Sequence, residues 1–313
     1  MIKVDLITGF LGSGKTTFLK RYAKSFIDQG QRIGILENDY GAVNVDMLLL
    51  NDLRGDNCEL EMVAGGCDAN CHKRRFKTKL ISMGMSGYDR VIIEPSGIFD
   101  VDEFFDSFRD EPLDRWYEIG NVITIVDAKL ANNTSILSED SDFFLASQLA
   151  NAGKIVLSRT QLASDSEIAA TIAHMKEAAS KAKLDKDIES IIFAKDWSQL
   201  TSDDFKQISE SGYSTHSYIK KLGTDDSSYK TLYFLELPME KDGLEEKINT
   251  LMTDSSYGKI LRAKGFLQDQ GQWYQFNATR EDFQIAQMPV GQQVFIIIGE
   301  EINEEKTKEF FTL

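Results

Sequence analysis

Nine residues near the start of the chain constrain it more than any other stretch: Gly9-Phe10-Leu11-Gly12-Ser13-Gly14-Lys15-Thr16-Thr17. They read G-x-x-x-x-G-K-[ST], a phosphate-binding loop, and the loop needs a strand before it and a helix after it. Ile2-Lys3-Val4-Asp5-Leu6-Ile7 supplies an apolar strand, and Thr17-Phe18-Leu19-Lys20-Arg21-Tyr22-Ala23-Lys24 opens a helix. Glycines let consecutive backbone N–H groups turn inward onto phosphate oxygens, and the helix adds its positive end. Gly9, Gly12, Ser13, Gly14, Lys15, Thr16 and Thr17 are therefore the expected nucleotide-binding residues. Lys15 should reach the β- and γ-phosphates, and the Thr16 hydroxyl should ligate Mg²⁺. The alternative, a chance glycine-rich turn, leaves the flanking strand and helix unexplained.

Further apolar strands follow at 32–37, 58–63, 88–94, 121–127, 154–158 and 191–193, with helical patterns near 70–84, 142–151 and 164–182. Strands alternating with helices predict an α/β fold, a mostly parallel sheet covered on both faces. Ligands of such sheets sit at the carboxyl ends of the strands, where the phosphate loop, Asp39, Glu94 and Ser158 all fall. Composition shifts near residue 200, and Ser209–Tyr229 is rich in Ser, Gly, Asp and Thr. The expected layout is a nucleotide-binding domain over 1–205, a linker over 206–229, and a smaller α+β domain over 230–313. In that last domain strands are expected at 230–237, 261–267, 272–277 and 293–298, with helices near 243–252 and 303–311.

The formal net charge is −15, from 50 acidic and 35 basic residues. That argues against nucleic-acid binding, which needs a basic face. No run approaches the ~20 apolar residues of a membrane span. Motif residues begin at once, which does not fit a cleavable signal peptide, so a cytoplasmic protein is expected. The three cysteines, Cys58, Cys67 and Cys71, are too few and too clustered for a disulfide framework.

Three further stretches carry chemistry. Val91-Ile92-Ile93-Glu94 is an apolar strand ending on an acid, followed by Pro95-Ser96-Gly97. In phosphate-loop hydrolases such an acid lies near the Mg²⁺ shell and a nearby glycine N–H meets the γ-phosphate. Glu94 and Gly97 take those roles, the alternative being an ordinary strand end with a Pro turn. Asp39, in Asn38-Asp39-Tyr40-Gly41, stands either as a Mg²⁺ ligand or as an Asx turn. Cys67-Asp68-Ala69-Asn70-Cys71-His72 is C-x-x-x-C-H, and on a helix Cys67 and Cys71 would share a face. Two thiolates with the His72 imidazole suit Zn²⁺ or another transition metal, with Cys58 as a candidate third thiolate. The alternative is a pair of buried, inert cysteines.

Together Ile7–Thr17, Glu37-Asn38-Asp39-Tyr40-Gly41, Gly66-Cys67 and Ile93-Glu94-Pro95-Ser96-Gly97 resemble the CobW-type phosphate-loop GTPases, relatives of the urease and hydrogenase nickel-insertion GTPases. Ile260-Leu261-Arg262-Ala263-Lys264-Gly265-Phe266-Leu267 is similar to the signature of the CobW carboxy-terminal domain. The resemblance spans nearly the whole chain. It implies GTP hydrolysis coupled to metal handling for a metalloprotein or corrinoid-related client, with Glu37 as a further metal ligand. The chain departs from the family in three ways. The usual C-x-C-C is here Cys67, three residues, Cys71. Ala42 replaces an acid. The guanine-reading Asn-Lys-x-Asp becomes Ser158-Arg159-Thr160-Gln161, so Ser158, Arg159 and Gln161 line the base site but a neutral amide replaces a carboxylate that pairs with two N–H donors. Guanine selectivity should weaken, and ATP becomes an option.

The expected function is a GTP hydrolase acting as a metallochaperone or metal-cofactor insertion factor. Two alternatives remain: a nucleotide-binding switch with negligible turnover, and a small-molecule kinase, although no Arg-rich lid segment is evident. The oligomeric state is left open, with a homodimer among the options. His174, in the 164–182 helix, is expected at the surface.

Overall fold

The computed structural model describes residues 1–39, 46–64, 69–97, 101–133, 139–219, 229–235, 239–280 and 282–312. The chain divides into two compact units, Met1–Lys221 and Leu222–Leu313.

The first unit is built on a seven-stranded sheet: β1 (Ile2–Gly9), β2 (Ile33–Asp39), β3 (Cys58–Ala64), β4 (Arg90–Pro95), β5 (Tyr117–Asp127), β6 (Lys154–Ser158) and β7 (Ile192–Phe193). The strand order is β3-β2-β4-β1-β5-β6-β7, and every pairing is parallel. Its helices are α1 (Lys15–Ile27), α2 (Asp46–Leu50), α3 (Ala69–Gly84), α4 (Val101–Arg109), α5 (Leu113–Trp116), α6 (Glu139–Asn151), α7 (Asp165–Lys181) and α8 (Ser202–Ser209). The near-continuous apolar strands have a physical reason. Both faces are covered, so successive side chains enter different cores. Leu6 joins Leu36, Phe76, Leu80 and Phe104 on one face. Ile7 joins Phe18, Tyr22, Ile35 and Trp197 on the other. β1 lies at the centre of the sheet, which brings its carboxyl end between the ends of β4 and β5.

The second unit has a five-stranded antiparallel sheet of order β11-β10-β9-β12-β8. Its strands are β8 (Tyr229–Leu235), β9 (Lys259–Asp269), β10 (Gln272–Thr279), β11 (Asp282–Met288) and β12 (Val294–Glu300), and its helices are α9 (Leu244–Thr253) and α10 (Glu304–Thr312). Leu244, Ile248 and Leu251 of α9 pack with Phe276, Phe295 and Ile297 of the sheet. The β9–β10 turn is Gln270-Gly271, both at positive φ (47° and 79°), the backbone that a tight two-residue hairpin requires.

The stretch expected as a linker differs in its first half. Residues 206–209 close α8, whose Ile208 is fully buried in the first unit. Gly212 N donates to Asn121 Oδ1 at 2.8 Å and Gly212 O accepts from Val122 N at 3.0 Å. Ile219 N donates to Ala182 O at 2.7 Å. Small polar residues there allow close packing on the sheet rather than freedom: a Cβ on Gly153 would lie 2.1 Å from Gly212 O.

Candidate nucleotide site

The phosphate loop closes as its glycines dictate. Gly9, Gly12 and Gly14 have φ of 147°, 75° and 97°. A Cβ on Gly9 would fall 2.2 Å from Ile125 O of β5. Gly14 is the left-handed cap of α1, and a side chain there would meet the Trp197 ring. Lys15 is buried, and its Nζ donates to Gly9 O at 3.1 Å and Phe10 O at 3.4 Å. The ammonium is thereby held against its own loop. Ser13 is buried beneath the loop and Thr17 is exposed in the first turn of α1.

The Thr16 hydroxyl donates to Glu94 Oε1 at 2.8 Å. This contact joins α1 to the end of β4 across 78 positions of sequence. Glu37 stands beside Glu94 in register on the neighbouring strand, and both are buried. Adjacent parallel strands are about 4.8 Å apart, so the two carboxylates share one sheet face at close range. The Thr16 hydroxyl and the Glu94 carboxylate are hard oxygen donors, which suit Mg²⁺. Like charges so placed also repel unless a cation lies near them. Asp39 ends β2, but its side chain lies outside the described residues.

Gly97 follows directly. A Cβ there would lie 2.8 Å from Leu11 N and 3.0 Å from Leu11 Cα, so its backbone rests on the phosphate loop. Ser96 N donates to Asn38 O at 2.9 Å, which ties this turn to β2.

At the other side of the loop, Ser158 ends β6 and is buried. Arg159 has φ 54°; its Nη1 donates to Gly12 O at 3.0 Å and pairs with Asp127 at the end of β5. The guanidinium therefore braces the phosphate loop. Gln161 lies exposed in the short turn Thr160–Leu162. Trp197 sits beneath, its Nε1 donating to Leu157 O at 3.0 Å and its ring tilted on Phe18.

Of the expected cysteine cluster the structure describes Cys71, His72 and Cys58. Cys71 lies half-buried in the first turn of α3, while Cys67 is outside the described residues. His72 beside it is buried, and its Nε2 is hydrogen-bonded with Asn38 Oδ1 at 2.7 Å. Cys58 stands at the opposite end of its strand, paired in register with Ile33. At ~3.3 Å per residue, β3 separates Cys58 from the carboxyl-end turn by about 20 Å. Its thiol is buried among apolar side chains, and burial pushes its pKa up to about 11. Cys58 is thus a packing residue and not a third thiolate. Among the described residues no three His, Cys, Asp or Glu side chains group as a metal site. His174, expected at the surface, is nearly buried, with Nε2 3.3 Å from Asp142 Oδ1.

Some participants give little warning in the sequence. Asp127, Gln148 and Trp197 all touch motif residues. Of these, Asp127 alone carries a signal, as an acid closing an apolar strand.

The family model for the CobW/HypB/UreG nucleotide-binding domain matches residues 3–188. Zinc chaperone YjiA of Escherichia coli strain K12 is 30% identical over 174 residues, 53% of this chain and 52% of that protein. The match thus spans about half the length of that relative. Zinc-regulated GTPase metalloprotein activator 1 of Schizosaccharomyces pombe is 26% identical over 340 residues, 97% of this chain and 81% of its own length. Zn(II)-bound YjiA GTPase from E. coli is structurally similar at 22% identity, covering 99% of this chain and 98% of that one, with a TM-score of 0.38. Hydrogenase maturation factor HypB from Archaeoglobus fulgidus is similar at 19% identity, covering 66% and 86%, with a TM-score of 0.42.

Proposed function

The chain belongs to the CobW/HypB/UreG family, and from that premise we propose that it hydrolyses GTP and uses the nucleotide state to hand a metal ion, zinc foremost, to a metalloprotein. Lys15 and the loop N–H groups bind the phosphates, Thr16 and Glu94 hold Mg²⁺ with Asp39 as a further candidate, and Gly97 meets the terminal phosphate. Bound Mg²⁺ would offset charge developing on the β- and γ-phosphate oxygens. Cys67 and Cys71 carry the cargo metal, with His72 and Glu37 as further ligands. No helix among the described residues is long and apolar enough to cross a membrane. Three clustered cysteines suit the reducing cytoplasm, which is part of this reading. A client with a corrinoid cofactor is one form of the same handover.

The observation that carries the reading is the His72–Asn38 hydrogen bond. It ties the cysteine helix to the strand whose neighbouring residues are Glu37 and Asp39. A metal that pulls on α3 would therefore pull on Asn38, and through Asn38 O on Ser96. Zinc affinity measured on the apo, GTP-bound and GDP-bound protein should differ by roughly 5–150-fold between states, the usual range of site–site coupling. Equal affinities in all three would end the metal-handover reading.

The exposed Gln161 favours a broadened base choice within the same activity. A Gln161→Asp variant should raise the preference for GTP over ATP by roughly 10–100-fold, the worth of a charge-assisted pair at ~1.5–3 kcal/mol. Competition binding of the two nucleotides measures it, and an unchanged ratio would show that the base is read elsewhere.

A further inference from the structure

Two contacts hold Gly97. Its backbone rests on Leu11 of the phosphate loop, with no space for a Cβ. Gln148 of α6 donates through Nε2 to Gly97 O at 3.2 Å. Gln148 is completely buried. Its Oε1 makes no hydrogen bond among the described residues. Its own backbone carbonyl accepts from Thr124 Oγ1 of β5 at 2.9 Å, which fixes the helix on the sheet beside the loop.

A buried amide satisfied at one end only is destabilising, and an apolar side chain of the same length would fill the space without that penalty. Glycine, meanwhile, has the widest backbone freedom of any residue. If its N–H must aim at a phosphate, something outside the residue has to hold its dihedrals. Leu11 crowds Gly97 at its Cα, and the Gln148 amide holds its carbonyl.

We propose that Gln148 is a positioning residue for the triphosphate: by holding the Gly97 carbonyl, it keeps the Gly97 N–H directed at the terminal phosphate. The inference rests on the nucleotide-hydrolase reading and deepens it. It separates two ligands, because a nucleoside diphosphate has no terminal phosphate for Gly97 to meet. Gln148 therefore serves GTP and not GDP.

The test is Gln148→Met, which keeps length and bulk and removes the donor. Affinities for GDP and for a non-hydrolysable GTP analogue are measured beside kcat and KM, with thermal unfolding as the folding control. Loss of one neutral hydrogen bond should weaken the analogue and lower kcat by about tenfold, while GDP affinity stays within about twofold. Gln148→Asn, still polar but too short to reach Gly97, should do the same and serves where the Met variant does not fold. Equal weakening of both nucleotides would reduce Gln148 to a packing residue, and no change in either would remove it from the site. A wild-type protein that binds neither nucleotide would overturn the hydrolase reading along with this one.

Discussion

Cys58 and Cys71 have opposite chemical fates, decided by where a strand carries them. The same β3 that begins at Cys58 runs away from it toward the carboxyl-end turn. Nearness in sequence suggested a shared site, yet extended backbone separates residues as fast as a chain can. In the native protein at pH 8, a thiol reagent should modify Cys71 and spare Cys58, as peptide mass mapping would show. A thiol with a pKa near 11 is only about one part in a thousand thiolate at that pH. The same shift sets a stability trend. An unfolded thiol ionises near ~8.5, so the folded state holds its proton longer. The contribution of Cys58 is thus full below that value and declines as pH rises toward 11. Chemical denaturation at pH 7 and pH 10 should show the loss, and Cys58→Ala should flatten it. The phosphate loop was legible because its physics is local: glycine dihedrals, one ammonium, one hydroxyl. The Thr16–Glu94 hydrogen bond and the Arg159 brace on Gly12 were not, because each needs the parallel register to bring distant strand ends together.

Elements whose start signals are strong were readable, and those without neighbours in the pattern were overlooked. The α7 capping box, Ser164 with Glu167, precedes a long periodic run that sequence inspection finds at once. The α8 box, Thr201 with Asp204, is chemically the same, but it opens only two helical turns, and the expected domain boundary after residue 205 cuts through that helix. Likewise α4 buries Val101, Phe104, Phe105 and Phe108, the i, i+3, i+4, i+7 stripe of an amphipathic helix. β11 was missed because only Phe283 and Ile285 mark its apolar face. The α8 cap yields a pH expectation. The Lys195 ion pair and the Thr201 N–H hold the Asp204 carboxyl at about 2, below its ordinary value. That stabilisation is present above pH ~4 and disappears as pH falls toward 2. Hydrogen exchange across 202–209 should therefore accelerate over that window. Thr201→Ala should produce the same local loosening at neutral pH, at about 1 kcal/mol.

For the molecule as a whole, the alternation of strands and helices is enough to foresee a parallel sheet, and the composition shift near residue 200 a smaller α+β unit after it; that the second sheet is antiparallel comes from the structure. The point where the first unit ends was not foreseeable, because Ser- and Gly-rich composition describes both a free tether and a segment packed closely on glycine. A chain stopped at residue 221 should fold cooperatively and bind nucleotide. One stopped at 205 loses the burial of Ile208 and the Gly212 bonds to Asn121 and Val122. Those contacts are worth roughly 2–4 kcal/mol together, enough to lower the melting temperature visibly by circular dichroism. Identical melting curves for the two truncations would return 206–219 to linker status.

The strand order also bears on how such a protein can vary. The chain leaves the sheet after β2, runs up the edge strand β3, and returns through α3 to β4, which lies between β2 and β1. Everything from residue 65 to the first turn of α3 therefore hangs on a detour between two neighbouring strands. Insertions or exchanged ligands in that detour leave the register of β1, β2 and β4 intact, and with it the grip on phosphate. A three-residue spacing between cysteines in place of a tighter cluster is a change of this kind, so the ion carried could diversify among descendants while the nucleotide machinery is inherited whole.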